Sequence, residues 1–282
     1  METISEHRCH GGTVGFYRQR SEALGGLDAR FAVFIPPDGP KGGEPRPAVY
    51  ALGGLTGNEE TFVTKSGALR FAAEHRLAMV FPDTSPRGAD IPGEETDWDF
   101  GTGAGFYLDA TQDPWAKHYR MGTYVNDELP AWVEASFPVL GDRRGIVGHS
   151  MGGHGALTLA LRDPSRWHSV SAIAPICFPT DVPWGRKAFP RYLGNDPAAW
   201  SRHDATLLLL RAGCTHPGTI LLDQGEQDQF LAEQLLPDAF EQAAAAAGQA
   251  LTLRRHPGYD HSYWFIQTVI ADHIAHHAAA LG

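Results

Sequence analysis

Short apolar runs alternate with longer segments of helical periodicity along the whole chain. The runs centred near residues 31, 49, 80, 146, 172, 221 and 253 predict strands. Between them the spacing predicts helices at about 59 to 75, 122 to 136, 151 to 162, 229 to 247 and 262 to 280. This alternation, in a chain of 282 residues able to bury one large core, predicts a single α/β domain over residues 1–282. The Pro- and Gly-rich stretch from Pro36 to Pro47 reads as a surface loop between strands. The run Ala243 to Ala247 is a strong helix former rather than a linker.

One junction carries chemistry. The apolar run Gly145-Ile146-Val147 leads into Gly148-His149-Ser150-Met151-Gly152 and then into the helical pattern beyond Gly153. A strand that turns sharply into a helix at a serine is the geometry of a nucleophile elbow. The flanking glycines are needed because a side chain at either would crowd the adjoining strand or helix. Ser150 is therefore the candidate nucleophile. A tetrahedral oxyanion needs two fixed donors. The amide of Met151, next after the serine, is one candidate; Leu55 or Gly54, in the glycine-rich turn Gly53-Gly54-Leu55-Thr56-Gly57 after an early strand, is the other.

A serine hydroxyl needs a base, and the base needs a carboxylate to set its tautomer. In a doubly wound hydrolase both follow the serine, in the order acid then histidine. The strand Thr219–Asp223 runs into Gln224-Gly225-Glu226-Gln227-Asp228, where Asp228 and Glu226 are the candidates. Asp223 sits too early and is expected to be tied up in the turn. Asp228 could equally cap the following helix. Of 14 histidines, His261 stands in the turn-rich loop before the terminal helix and is the preferred base. His256, abutting Pro257, is expected to satisfy local backbone groups. His273, His276 and His277 have a spacing that would suit a metal pair, but no carboxylate or cysteine motif accompanies them, and no metal is expected.

Charge and cysteine content narrow the class. The formal net charge is −10, with no basic run and no aromatic–basic interleaving, so neither nucleic acid nor an anionic membrane is an expected partner. No stretch approaches the roughly 20 apolar residues of a membrane helix, and the first residues lack an apolar export core. Cys9, Cys177 and Cys214 are widely spaced and odd in number, which suits a reducing compartment; a cytoplasmic enzyme is expected.

Ordered along nearly the whole chain are Gly53-Gly54-Leu55-Thr56, Phe81-Pro82-Asp83-Thr84-Ser85-Pro86-Arg87-Gly88, Asp97-Trp98-Asp99-Phe100-Gly101-Thr102-Gly103-Ala104-Gly105-Phe106-Tyr107 and His118-Tyr119-Arg120-Met121. The elbow with Met151-Gly152-Gly153-His154-Gly155-Ala156, Pro183-Trp184-Gly185-Arg186-Lys187-Ala188-Phe189, Asp223-Gln224-Gly225 with Asp228, and Gly258-Tyr259-Asp260-His261-Ser262-Tyr263 complete the series. In these segments the chain resembles the S-formylglutathione hydrolases, or esterase D family. The resemblance implies an α/β-hydrolase fold with a mostly parallel central sheet flanked by helices, and hydrolysis of S-formylglutathione to formate and glutathione without a cofactor. It places the nucleophile on Ser150, the acid on Asp228, the base on His261 and the oxyanion donors on the Leu55 and Met151 amides. A homodimer is expected by analogy alone.

Two positions depart from the family pattern. Gly57 stands where relatives usually carry a cysteine near the active site, which implies lower sensitivity to thiol reagents and a looser loop. Phe178 stands where they tend to be polar, and could reshape the acyl or thiol pocket. An anionic thioester also needs a local basic rim. The basic residues nearest the motifs are Lys65, Arg87, Lys117, Arg120, Arg186 and Lys187. Of the nearby aromatics Trp98, Phe100, Phe106 and Trp184, the expected substrate-binding set is Trp184 and Trp98, joined by Lys187. A general short-chain carboxylesterase, an acyltransferase and a non-catalytic binding protein are the competing readings.

Overall fold

The computed structural model describes residues 1–37 and 43–282; the middle of the expected Pro36–Pro47 loop lies outside the described residues. Nine strands form one sheet: β1 (Glu2–Cys9), β2 (Gly12–Arg20), β3 (Asp28–Ile35), β4 (Arg46–Leu52), β5 (Ala78–Pro82), β6 (Val139–His149), β7 (Ser169–Ile173), β8 (Ile220–Gly225) and β9 (Leu251–His256). Their spatial order is β1-β2-β3-β5-β4-β6-β7-β8-β9. The ladder is antiparallel from β1 to β5 and parallel from β5 across to β9. Strands β5, β7 and β8 are buried at every position, which is why they read as unbroken apolar runs: a parallel strand is covered on both faces.

The helices are α1 (Glu59–Lys65), α2 (Ala68–Glu74), α3 (Met121–Thr123), α4 (Leu129–Ser136), α5 (Met151–Arg162), α6 (Pro183–Leu193), α7 (Pro197–Trp200), α8 (Ala205–Leu209), α9 (Pro237–Ala247) and α10 (Tyr263–Leu281). Helix α5, backed by α8, and helix α10, backed by α2, both pack on β6 and β7, so the centre of the sheet is covered from two sides. The expected 59–75 helix is two helices, because Gly67 adopts a left-handed φ of 72° that no helical residue has. Asn58 caps the first of them through a reciprocal box with Thr61.

Two pieces of structure have no counterpart in the predicted elements. The β1–β2 hairpin turns through His10 and Gly11, at φ 48° and 79°, a pair of positive values that a two-residue primed turn requires. Its outer strand β1 is exposed and polar along almost its whole length, so it carries no buried periodicity to detect. The segment between β7 and β8 holds helices α6 to α8, none of which is among the predicted elements.

Chain order and spatial order diverge at β4. The chain leaves β4 for β5 on one side and returns to β6 on the other. The carboxyl ends of β4 and β6 therefore face a crevice at a topological switch point, where α/β sheets bind ligands.

Candidate active site

Strand β6 ends at His149, and Ser150 takes φ 58° and ψ −118° before α5 begins at Met151. That sparsely populated conformation is held from both sides. The Ser150 amide donates to Ile173 O at 3.0 Å, and its carbonyl accepts from His154 N at 3.0 Å and Ile176 N at 3.2 Å. The glycines leave no alternative: a Cβ at Gly148 would lie 2.0 Å from Gly152 O, and one at Gly152 would lie 2.1 Å from Leu52 O.

The turn after β4 is pinned at several of its backbone groups. Tyr107 donates its hydroxyl to Gly53 O at 2.9 Å. Thr56 N donates to Gly103 O at 2.9 Å, and Gly57 N to Gly54 O at 3.2 Å. Gly57 O accepts from Thr84 Oγ1 at 2.6 Å and from Arg87 Nη2 at 2.8 Å. Two amides stand apart: neither Leu55 N nor Met151 N donates to another protein group among the described residues. The expected looseness from Gly57 is absent, since the loop is clamped through that residue's own carbonyl.

The acid and the imidazole come from the far side of the sheet. Asp228 follows β8, and His261 follows β9. His261 Nδ1 lies 2.5 Å from Asp228 Oδ2. Asp228 Oδ1 accepts from Phe230 N at 2.8 Å, a local turn contact and not the helix N-cap that its position could equally have served, since the helical turn Leu231–Leu235 has no side-chain cap. Glu226, the competing carboxylate, is exposed and does not reach His261.

A cavity of about 320 Å³ joins these parts, lined by Gly54, Leu55, Gly57, His149, Ser150, Trp184, Phe230, His261 and Tyr263, with Thr56, Thr61, Lys65 and Trp98 at its edge. Aromatic rings build one wall: Trp98 meets Trp184 edge-on at 5.9 Å, Trp184 meets Phe230 at 4.8 Å, and Phe230 meets His261 at 5.0 Å. Trp184 is buried and Trp98 is 56% exposed, so the first is wall and the second rim.

One expected rim residue needs correction. Lys187 does not line the cavity; it is ion-paired with Asp97 at 3.2 Å and with Asp99. Arg87 and Arg186 are likewise held by Asp83 and Asp181, and Lys65 is the cationic side chain that reaches the site. Phe100 and Phe106 are core, and Phe178 is not among the lining residues.

His256, His273, His276 and His277 are structural. His256 Nε2 and His273 Nε2 each lie 3.0 Å from the buried carboxylate of Asp223, which also pairs with Arg254. His256 thus serves a side chain, not local backbone, and Asp223 is committed to an ion-paired cluster whose donors hold its carboxyl far below the usual range, against the burial that would raise it. His276 Nε2 faces Val170 O, while His277 sits between Ser169 and Ser171. No group of three metal-binding side chains occurs among the described residues.

His149 is the site residue that the sequence pattern did not single out. Its ring lies 4.6 Å from that of His261 and 5.8 Å from that of Tyr263. Burial, and after it the charge of His261, holds His149 well below the ordinary imidazole range, so it stays neutral. Its Nε2 is buried without a hydrogen-bond partner. The only sequence signal was its place beside the nucleophile.

Comparison with known proteins agrees with this architecture. The Esterase family model, described as Putative esterase, matches residues 21–276. The S-formylglutathione hydrolase of Paracoccus denitrificans is 51% identical over 281 residues, covering 100% of this chain and 98% of that protein. The mouse S-formylglutathione hydrolase is 50% identical over 282 residues, covering 100% and 99%. The solved S-formylglutathione hydrolase of Agrobacterium tumefaciens superposes with a TM-score of 0.96 at 46% identity, each chain covered completely. Full-length identity at this level, on one fold and with one arrangement of elements around the β4–β6 crevice, places the chain in the S-formylglutathione hydrolase family of esterases.

Proposed function

We propose that the protein hydrolyses S-formylglutathione to formate and glutathione by acyl transfer through Ser150, with His261 as general base and Asp228 as its orienting carboxylate. The observation that carries the reading is the 2.5 Å contact between His261 Nδ1 and Asp228 Oδ2. It fixes the imidazole with Nδ1 as donor, leaving Nε2 as the acceptor for the Ser150 hydroxyl proton. Ser150 Oγ then attacks the formyl carbon. The oxyanion is received by the Leu55 and Met151 amides, whose positions are set by the clamped turn and by the start of α5. His261 returns the proton to the departing sulfur, and water, activated by the same imidazole, releases formate from the acyl-enzyme.

Trp184 and Phe230 wall the cavity and Trp98 lies at its mouth, which suits a small acyl group beside a larger thiol portion. Three unpaired cysteines support a reducing, cytoplasmic location. A homodimer rests on analogy, and sedimentation would test it.

The deciding experiment is kcat/KM for S-formylglutathione beside p-nitrophenyl esters of increasing chain length, on the wild type and on Ser150→Ala. Strong preference for the formyl thioester, abolished in the variant, is expected. Good ester turnover with a negligible formyl thioester rate would make it a general short-chain esterase, and equal rates on acetyl and octanoyl esters would count against a tight acyl pocket.

A further inference from the structure

The cavity is unusual for its protein in one respect. The chain carries a formal charge of −10, yet no aspartate or glutamate lines the site. Among the residues that do, Lys65 is the one permanent cation. Its neighbours in charge are all engaged elsewhere: Arg87 with Asp83, Arg186 with Asp181, and Lys187 and Arg191 with Asp97. Lys65 has no ion-pair partner among the described residues.

Its placement is fixed although its head is exposed. Lys65 ends α1, and its carbonyl accepts from Gln267 Nε2 at 2.8 Å, tying the end of that helix to α10. Its Nζ stands 5.7 Å from the centre of the Tyr263 ring, which itself lines the cavity and packs against His149. That contact steers a flexible stem toward the mouth without neutralising the charge. The Lys65 ammonium is therefore a strongly hydrated point charge beside an aromatic ring, in a site lined by no carboxylate among the described residues.

We propose that Lys65 is a specificity-determining residue that binds a carboxylate on the thiol portion of the substrate. The inference rests on the reading of the site as an acyl-thioester hydrolase and goes beyond it by assigning the thiol side of the cavity. Glutathione carries two carboxylates, and an acidic protein repels both unless a local cation receives one. Because the carboxylate is remote from the reacting carbon, the contact is the same in ground and transition states. Its loss therefore appears in KM rather than in kcat.

The test compares wild type, Lys65→Met and Lys65→Arg on two substrate pairs. The first pair is S-formylglutathione and p-nitrophenyl acetate. The second is the S-acetyl thioester of 3-mercaptopropionate and its methyl ester, which differ only in one carboxylate. Lys65→Met is expected to lower the anionic-to-neutral ratio of kcat/KM about tenfold, a loss of ~1.4 kcal/mol, through KM. Lys65→Arg should restore most of it, and added salt should weaken the preference in the wild type but not in Lys65→Met. An unchanged ratio in Lys65→Met on both pairs would overturn the proposal. If the wild type hydrolyses the esters but not S-formylglutathione, the substrate reading fails while the methyl-ester pair still decides the role of Lys65.

Discussion

Gln224 donates its Nε2 amide to Asp228 Oδ2 at 3.2 Å, the same oxygen that faces His261 Nδ1 at 2.5 Å. Gln224 is fully enclosed, and its Nε2 also reaches Gly225 O at 3.0 Å. The acid is thus held at three points: Gln224 and His261 on one oxygen, Phe230 N on the other. A hydrogen bond to a charged group contributes about 1.5–3 kcal/mol. Gln224→Leu should accordingly lower kcat/KM on a short p-nitrophenyl ester by about 10-fold or more while the far-UV spectrum stays unchanged. Gln224→Glu, which puts a second negative charge beside Asp228, should lose more. Activity within twofold of wild type in both variants would show that Asp228 is held without this contact.

Asp228→Asn keeps an acceptor for Phe230 N only by turning its NH2, a donor, toward His261. The imidazole then loses the partner that fixes its tautomer, and kcat should fall on the order of 10³- to 10⁴-fold. A burst of p-nitrophenol in stopped flow should vanish with it. Residual activity above a tenth of wild type would remove Asp228 from the proposed mechanism.

The elbow tolerates no side chain at Gly152, because the added Cβ would lie 2.1 Å from Leu52 O and 2.6 Å from Gly53 O. Both contacts are backbone, in the turn that precedes the Leu55 amide, so neither can move cheaply. Gly152→Ala should cost about 3 kcal/mol and lower the urea midpoint accordingly. A variant with wild-type stability and activity would mean that the turn yields.

Gly57 lines the cavity, and a Cβ there would lie 3.0 Å from Gly54 O and at ordinary contact from Thr84 and Thr61. A cysteine therefore fits after a small adjustment and presents its thiol to the site. Gly57→Cys should become sensitive to N-ethylmaleimide, with protection by a substrate analogue. The wild type should resist it: Cys177 is fully buried with its thiol pushed far up by desolvation, and Cys9 and Cys214 do not line the cavity. Equal inactivation of both proteins would locate the sensitive thiol elsewhere.

Buried histidines set the response to acid. Desolvation lowers His154 from 6.5 to about 4, although its contact with Phe106 O opposes this, and burial depresses His149, His203, His273, His276 and His277 in the same direction. Below about 6.5 the unfolded chain takes up protons that the fold refuses, so stability falls as pH drops from 6.5 toward 4; for His154 alone the loss is about 3 kcal/mol. Asp204, raised to about 6 by burial, acts in the opposite sense, since the folded state binds its proton first and gains stability as pH falls from 6 toward 3.8. Asp223, depressed, adds a further loss below about 3.8. Urea midpoints should decline steadily between pH 7 and pH 4.5, the six histidines outweighing Asp204 and Glu59, whose carboxyl is also raised by burial. A flat profile would mean that water reaches these rings in the folded state.

Much of the site was legible because its signals are local. An apolar run, two glycines around a serine and a helical pattern after it can be read within about twenty residues, and Ser150 follows from them. Asp228 was less secure, since the same residue at a strand exit can cap a helix. The structure has it face His261 with one oxygen and hold the turn at Phe230 with the other, capping no helix. The resemblance to S-formylglutathione hydrolases, not position, separated it from Glu226. Strand β1 escaped because an exposed strand has no periodicity to detect, whereas β2 is largely buried and was missed beside it; helix α6 had no predicted counterpart.

By itself the sequence determined the strands β3 to β9 and the helices around the elbow, the strained serine between Gly148 and Gly152 and the acidic surface, and its ordered motifs carried the resemblance to the family. All but the resemblance follow from short-range sterics, periodicity and composition. Only the tertiary structure decided which charges are free. Lys65 and Lys187 look alike in sequence, yet Asp97 and Asp99 neutralise one while the other reaches the cavity. It also decided that His256 and His273 serve Asp223 and that His149 lies against His261. Such pairings join residues far apart in the chain, and their energies depend on burial and distance, which no local pattern encodes.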